Sequence, residues 1–219
     1  VDSVGGAFET AGRQKITPPD PEIPQDTEAA AFFDVDNTLI QGSSLILLAQ
    51  GLFKKRFITL SELAPALRKQ IRYRVSGSEN ADDIAEGREQ ALAVVKGKSV
   101  AELKQACREI VDNRMLEKSY ADTIELAAMH LAAGQQVWLV SATPVQIGQA
   151  LAETLGFTGA LGTVAEEKDG KFTGRLVGDI LHGPGKKHAV AALAALQQLD
   201  LSKCTAYSDS INDLPMLEM

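Results

Sequence analysis

The sequence predicts an α/β fold, a doubly wound parallel sheet with an inserted α-helical cap domain, on three observations. Apolar runs at residues 29–33, 136–140 and 203–207 each stop abruptly at a polar cluster. A strand buried on both faces reads as such an unbroken run. Helix-like segments lie between the runs, the alternation a doubly wound sheet requires. A βαβ crossover needs only about a dozen residues beyond its strands. The far longer stretch between the first two runs is too long for one crossover and reads as an inserted helical cap seated over the carboxyl edge of the sheet.

Taken in order, residues 1–28 carry Gly5, Gly6, Gly12, Pro18, Pro19, Pro21 and Pro24 without periodicity. They read as a flexible or extended arm, whose order would need a docking surface. Residues 29–42 and 134–219 form the expected core, and 43–133 the cap. Residues 45–55 are apolar with a basic end, which suits a helix C-terminus. Residues 60–75 repeat Leu63, Leu67 and Ile71 at helical spacing, with Pro65 in a first turn or at a kink. Asn80 caps a segment ending at Lys96 and Gly97. Ser99 and Glu102 make a capping box, with Leu103, Cys107 and Ile110 on one face of the helix that follows. Residues 121–133 are helical and stop at Gly134; residues 145–155 are helical and stop at Gly156. Residues 160–167 and 171–177 read as two strands joined through Asp169-Gly170, a hairpin turn. Gly183-Pro184-Gly185-Lys186-Lys187 opens a helix over 189–198.

The 219 residues are 45% hydrophobic and 23% charged, an ordinary globular composition. The net charge of −7 argues against nucleic acid or an anionic membrane as main partner. Cys107 and Cys204 lie far apart in apolar contexts and read as free thiols. His130, His182 and His188 lack metal-ligand spacing and read as incidental. No run approaches the ~20 apolar residues of a membrane span and no leader pattern opens the chain, so the sequence reads as cytoplasmic. It begins at Val1 rather than Met, as a trimmed or partial chain does.

The chemistry concentrates where the runs end, because open α/β sheets bind ligands beyond the carboxyl ends of their strands. The first run ends in Asp34-Val35-Asp36-Asn37-Thr38, the second in Ser141-Ala142-Thr143-Pro144, the third in Ser208-Asp209-Ser210-Ile211-Asn212-Asp213. Two buried carboxylates one residue apart need a cation or a proton to offset them. Clustered carboxylates without His or Cys select a hard cation, Mg²⁺ before Zn²⁺. Ser141, the N–H groups after it, and Lys186 or Lys187 make an anion cradle. Together these point to phosphoryl transfer with a carboxylate nucleophile. Read blandly, Ser141 is a helix N-cap and Asp213 a loop brace.

These residues resemble the four motifs of the haloacid dehalogenase-like superfamily, in its phosphoserine phosphatase-like branch. Phe33 to Leu39 match the first motif, Ser141 the second, Lys186 the third, and Ser208 to Asp213 the fourth, in order from about residue 30 onward. The resemblance implies a Rossmann-like core and a Mg²⁺-dependent phosphomonoesterase. Asp34 is then the nucleophile and Asp36 the acid and base. Asp34, Asp36 through its carbonyl, and Asp209 hold the metal, with Asn212 and Asp213 behind them. Ser141, Ala142 and Lys186 hold the phosphoryl oxygens. The expected substrate is a small phosphomonoester, phosphoserine first. The alternatives are a phosphomutase or phosphotransferase on the same scaffold, or a lysophospholipid phosphate phosphatase. Phosphoserine phosphatases place a Glu after the first motif and an Arg in the cap. Here Gln41-Gly42-Ser43-Ser44 carries no Glu, and only Arg88 stands near the cap position. Relatives also continue through another strand and helix past the fourth motif.

Overall fold

The structure, a computed structural model, describes residues 17–59, residue 62 and residues 91–219. Strand β1 (Ala30–Phe33) is fully buried along its length. Its side chains alternate between two apolar clusters: Ala31 and Phe33 enter one, Ala30 and Phe32 the other. Strand β2 (Gln136–Pro144) behaves alike, with Val137 and Leu139 on the first side and Trp138 and Val140 on the second. Strand β3 (Gly159–Thr163) pairs with β2. The last strand of the chain, β6 (Thr205–Tyr207), pairs with β1. The sheet order is β3-β2-β1-β6 and every pairing is parallel.

Helices cover both faces, which is what two apolar sides demand. On the first face lie α1 (Ser44–Lys54), α2 (Val100–Ile110), α3 (Ala121–Ala132) and α4 (Val145–Leu155). They contribute Leu52, Ile110, Leu131 and Leu151 to the cluster around Phe33. On the second lie α5 (Pro184–Gln197) and the short α6 (Leu214–Leu217), which pack Val190, Leu193 and Met216 around Phe32. Each buried Phe or Leu contributes on the order of 2 kcal/mol.

Local signals set the ends. Ser99 accepts the N–H of Glu102 at 3.3 Å, the bond that opens α2. Gly134 and Gly156, both left-handed, follow α3 and α4. Asp169 and Gly170 are also both left-handed, as a tight hairpin turn requires, and join β4 (Ala165–Lys168) to β5 (Lys171–Leu176). Gly162 in β3 is needed for another reason. A Cβ there would lie 2.7 Å from the Val145 Cα and 2.9 Å from the Thr143 carbonyl, so only glycine lets β3 approach the end of β2.

Four expectations are corrected. The run 160–167 is two strands: β3 stays with the main sheet, and β4 leaves it for the hairpin after Val164. The ladder between β2 and β3 becomes irregular toward Pro144, which has no N–H to pair. The helix expected at 189 begins at Pro184, because proline suits the first helical position. The third run is shorter and less buried than expected. Residues 201–203 form a 3-10 turn, and among the described residues β6 pairs only with β1, at the edge of this sheet.

The arm is the fourth case, since residues 17–28 do not hang free. Thr17 donates its N–H to the Gly156 carbonyl at 3.0 Å. Asp20 and Asp26 donate theirs to Ala132 and Ala133 at 3.0 and 2.9 Å. The docking surface is thus the unpaired carbonyls that every helix C-terminus leaves, a partner that loop composition does not reveal.

The segment 60–75, with Pro65, and the Asn80 cap lie outside the described residues, apart from a helical position at residue 62. Residues 91–95 are helical, and Gly97 follows in the left-handed region. Cys107 and Cys204 are free thiols, as read, and burial pushes the Cys107 thiol up to about 12. No helix among the described residues is long and apolar enough to cross a membrane.

Candidate active site

The alternation along β1 turns Asp34 toward the face covered by α5, and Lys186 meets it there. Asp34 continues the ladder past β1, its N–H donating to the Tyr207 carbonyl at 2.9 Å. Lys186 sits in the first turn of α5 and is 4% exposed. Its Nζ donates to Asp34 Oδ1 at 2.5 Å and to Asp213 Oδ2 at 2.7 Å. Asp213, 2% exposed, also accepts the Ser208 hydroxyl at 2.7 Å. Two buried carboxylates therefore share one buried ammonium. Burial pushes the Asp34 carboxyl up to about 6; Lys186 opposes the rise, and the negative charge of Asp213 adds to it.

The turn after Asp34 is folded by Asn37, which adopts the left-handed region that asparagine tolerates. Its N–H donates to the Ile40 carbonyl at 2.7 Å, and its Oδ1 accepts the Gly42 N–H at 2.9 Å. That turn aims Thr38 back at the site. Thr38 Oγ1 lies 3.5 Å from Asp34 Oδ2 and 3.4 Å from Asp209 Oδ1, and accepts the Asp209 N–H at 3.0 Å. The first and third polar clusters thus meet across one hydroxyl. The remaining oxygens of this set differ in exposure, for Asp209 and Asn212 face solvent while Asp34 is buried. Asn212 donates its N–H to the Ser210 hydroxyl at 3.2 Å.

Asp36 engages the start of α1, its Oδ1 accepting the Ser44 N–H at 2.9 Å and the Ser44 hydroxyl. On β2, register pairs Phe33 with Leu139, so Ser141 stands two residues past Phe33's partner, at the same edge as Asp34. Ser141 is buried, and its hydroxyl lies 2.8 Å from that of Thr143, whose N–H it accepts at 3.2 Å. Ala142 is exposed, and its carbonyl accepts the Thr163 hydroxyl at 2.7 Å. Lys187 is exposed, so the geometry separates the two lysines.

The hydroxyls of Thr38, Ser44, Thr143 and Ser208 are the site residues that the sequence reading assigned no role. Each holds one of the expected groups. Spacing gave no sign of their partners, because a turn hydroxyl bonds local backbone and a distant carboxylate equally well. Among the described residues no three Asp, Glu, His or Cys side chains gather as a ready-made metal cage.

Comparison with known proteins places the chain in a family. The chain is 52% identical over 200 residues to phosphoserine phosphatase SerB1 of Mycobacterium tuberculosis strain H37Rv, covering 91% of this chain and 65% of that protein. It thus spans just under two thirds of that relative's length. It is 35% identical over 214 residues to a second protein of that strain, named Probable phosphatase Rv3661, covering 94% and 71% of the two chains. A solved structure from Bordetella pertussis Tohama I, described as of unknown function, superposes with a TM-score of 0.74 at 27% identity, over 88% of this chain and 87% of that one. The family model for haloacid dehalogenase-like hydrolases matches residues 31–218, and the chain belongs to that family.

Proposed function

We propose that this chain hydrolyses a small phosphomonoester through a covalent aspartyl-phosphate on Asp34. The observation that carries the reading is the Asp34–Lys186–Asp213 cluster at the carboxyl end of the central strand. A buried carboxylate held by an ammonium on one oxygen is an oriented nucleophile beside an anion-binding cation.

In the first step an Asp34 oxygen attacks phosphorus, the bond to the leaving oxygen breaks, and Asp36 delivers its proton to that oxygen. In the second, water attacks phosphorus and gives its proton to Asp36; the bond to Asp34 breaks and inorganic phosphate leaves. Lys186, the Ser141 hydroxyl and the Ala142 N–H hold the phosphoryl oxygens. Thr143 keeps the Ser141 hydroxyl aligned, and Asp213 and Ser208 keep Lys186 in place.

The donor set suits Mg²⁺. It offers the Asp34 and Asp209 carboxylates, converging on Thr38, and the Asp36 carbonyl, all oxygen, and leaves the other positions to water, as Mg²⁺ prefers. Bound there, the ion neutralises charge on the transferring group. Asn212 lies beside this set; Asp213 serves the lysine instead. In this reading the cap belongs to residues 43–133, which begin beside Asp36 at Ser44, although α1, α2 and α3 within that span also cover the first face of the sheet.

Phosphoserine is the first substrate to test, since the 52% identical relative bears that name. The test is phosphate release with Mg²⁺ from phosphoserine, sugar phosphates and lysophosphatidate. Asp34→Asn is expected to lower turnover by about 10⁴ or more, on the scale of losing a catalytic nucleophile. Full turnover in that variant overturns the mechanism. An isomerised sugar phosphate in place of free phosphate identifies a mutase.

A further inference from the structure

We propose that Ser44 is a positioning residue for Asp36, fixing which carboxylate oxygen carries the proton; the inference rests on the hydrolase reading above. Ser44 is the first residue of α1 and is fully buried. Ser43, at the cap position of that helix, makes no side-chain cap bond. Asp36, eight residues back, does the capping from outside the helix, and its Oδ1 receives both the N–H and the hydroxyl of Ser44.

A helix needs only one acceptor at this point, so the N–H bond satisfies the capping role. The second donor does something else. Two donors on one oxygen stop the carboxylate from rotating and draw its lone pairs into hydrogen bonds. Oδ2 is left to give the proton to the leaving oxygen in the first step and to take one from water in the second. Burial of Ser44 keeps water from competing for that arrangement. A rigid acid saves the ordering that a freely turning carboxyl would pay in the transition state.

The prediction separates positioning from mere folding through the leaving group. The ratio kcat/KM reports the steps up to formation of the aspartyl-phosphate. An alkyl leaving group needs the Asp36 proton in that step, and 4-nitrophenolate does not. Ser44→Ala is expected to lower kcat/KM at least tenfold for an alkyl phosphate the wild type hydrolyses and less than threefold for 4-nitrophenyl phosphate. Ser44→Thr, which keeps the hydroxyl, restores the alkyl rate. If Ser44→Ala does not fold, Ser44→Cys, of similar size and a weak donor, gives the same readout. Equal losses on the two substrates, or no loss, overturn the proposal while the hydrolase reading stands. A wild type inactive on both overturns the hydrolase reading and this inference with it.

Discussion

The two sides of the site use the same side chain in opposite ways. On the Lys186 side, Asp34 and Asp213 are 6% and 2% exposed and share one ammonium. On the other, Asp209 faces solvent and its carboxylate is approached by a neutral hydroxyl. The first side is organised by folding, because a buried carboxylate without a partner is not tolerated. In the proposed reading the second is left to water and to a dissolved cation. Charge needed at every turnover is built in; charge that can be supplied from solution is not.

Breaking the buried side has the largest expected effect. Lys186→Met leaves two carboxylates buried without their cation and is expected to destabilise the fold by about 3–5 kcal/mol, read by denaturant unfolding at pH 8. Asp209→Asn tests the exposed side. Turnover is expected to fall about 10²-fold or more, on the scale of a lost electrostatic contact, with stability within about 0.5 kcal/mol of wild type. An equal loss of stability in both variants erases the contrast.

Titration sharpens the comparison. The folded Asp34 carboxyl, at about 6, lies above its ordinary 3.8, so the folded protein holds its proton longer than the unfolded chain does. Without metal, the stability this proton gives is present below about pH 4 and lost as pH rises through 6. Wild type should therefore lose stability relative to Asp34→Asn over that window and track it above, in parallel urea titrations. Smallest is Ser208→Ala, which removes one hydrogen bond from Asp213 and leaves Lys186 in place. It is expected to cost about 1 kcal/mol, with a severalfold loss of turnover.

The buried side was also the more legible in sequence. The apolar run before Asp34 predicts a central strand, and strand alternation then fixes which way Asp34 points. Lys186 is marked by the glycine-rich turn before a helix and by the resemblance to the third motif, but sequence leaves its register open against Lys187. Helix α5 begins earlier than expected, at Pro184, and buries Lys186 while Lys187 stays exposed. Spacing said nothing of Thr38 reaching Asp209, 171 residues away, or of Thr143 holding Ser141. Those contacts depend on how turns fold in three dimensions, and neither periodicity nor composition records that.

Gly162 sets a mechanical tolerance on the whole arrangement. With hydrogen in place of a methyl, the outer strand seats flush against the backbone of Thr143 to Val145, just past Ser141, the serine proposed to grip phosphate. Any side chain at that position would work as a shim, prising the grip away from the nucleophile while every reacting group remained present. An enzyme of this design can be disabled by added bulk where no chemistry occurs.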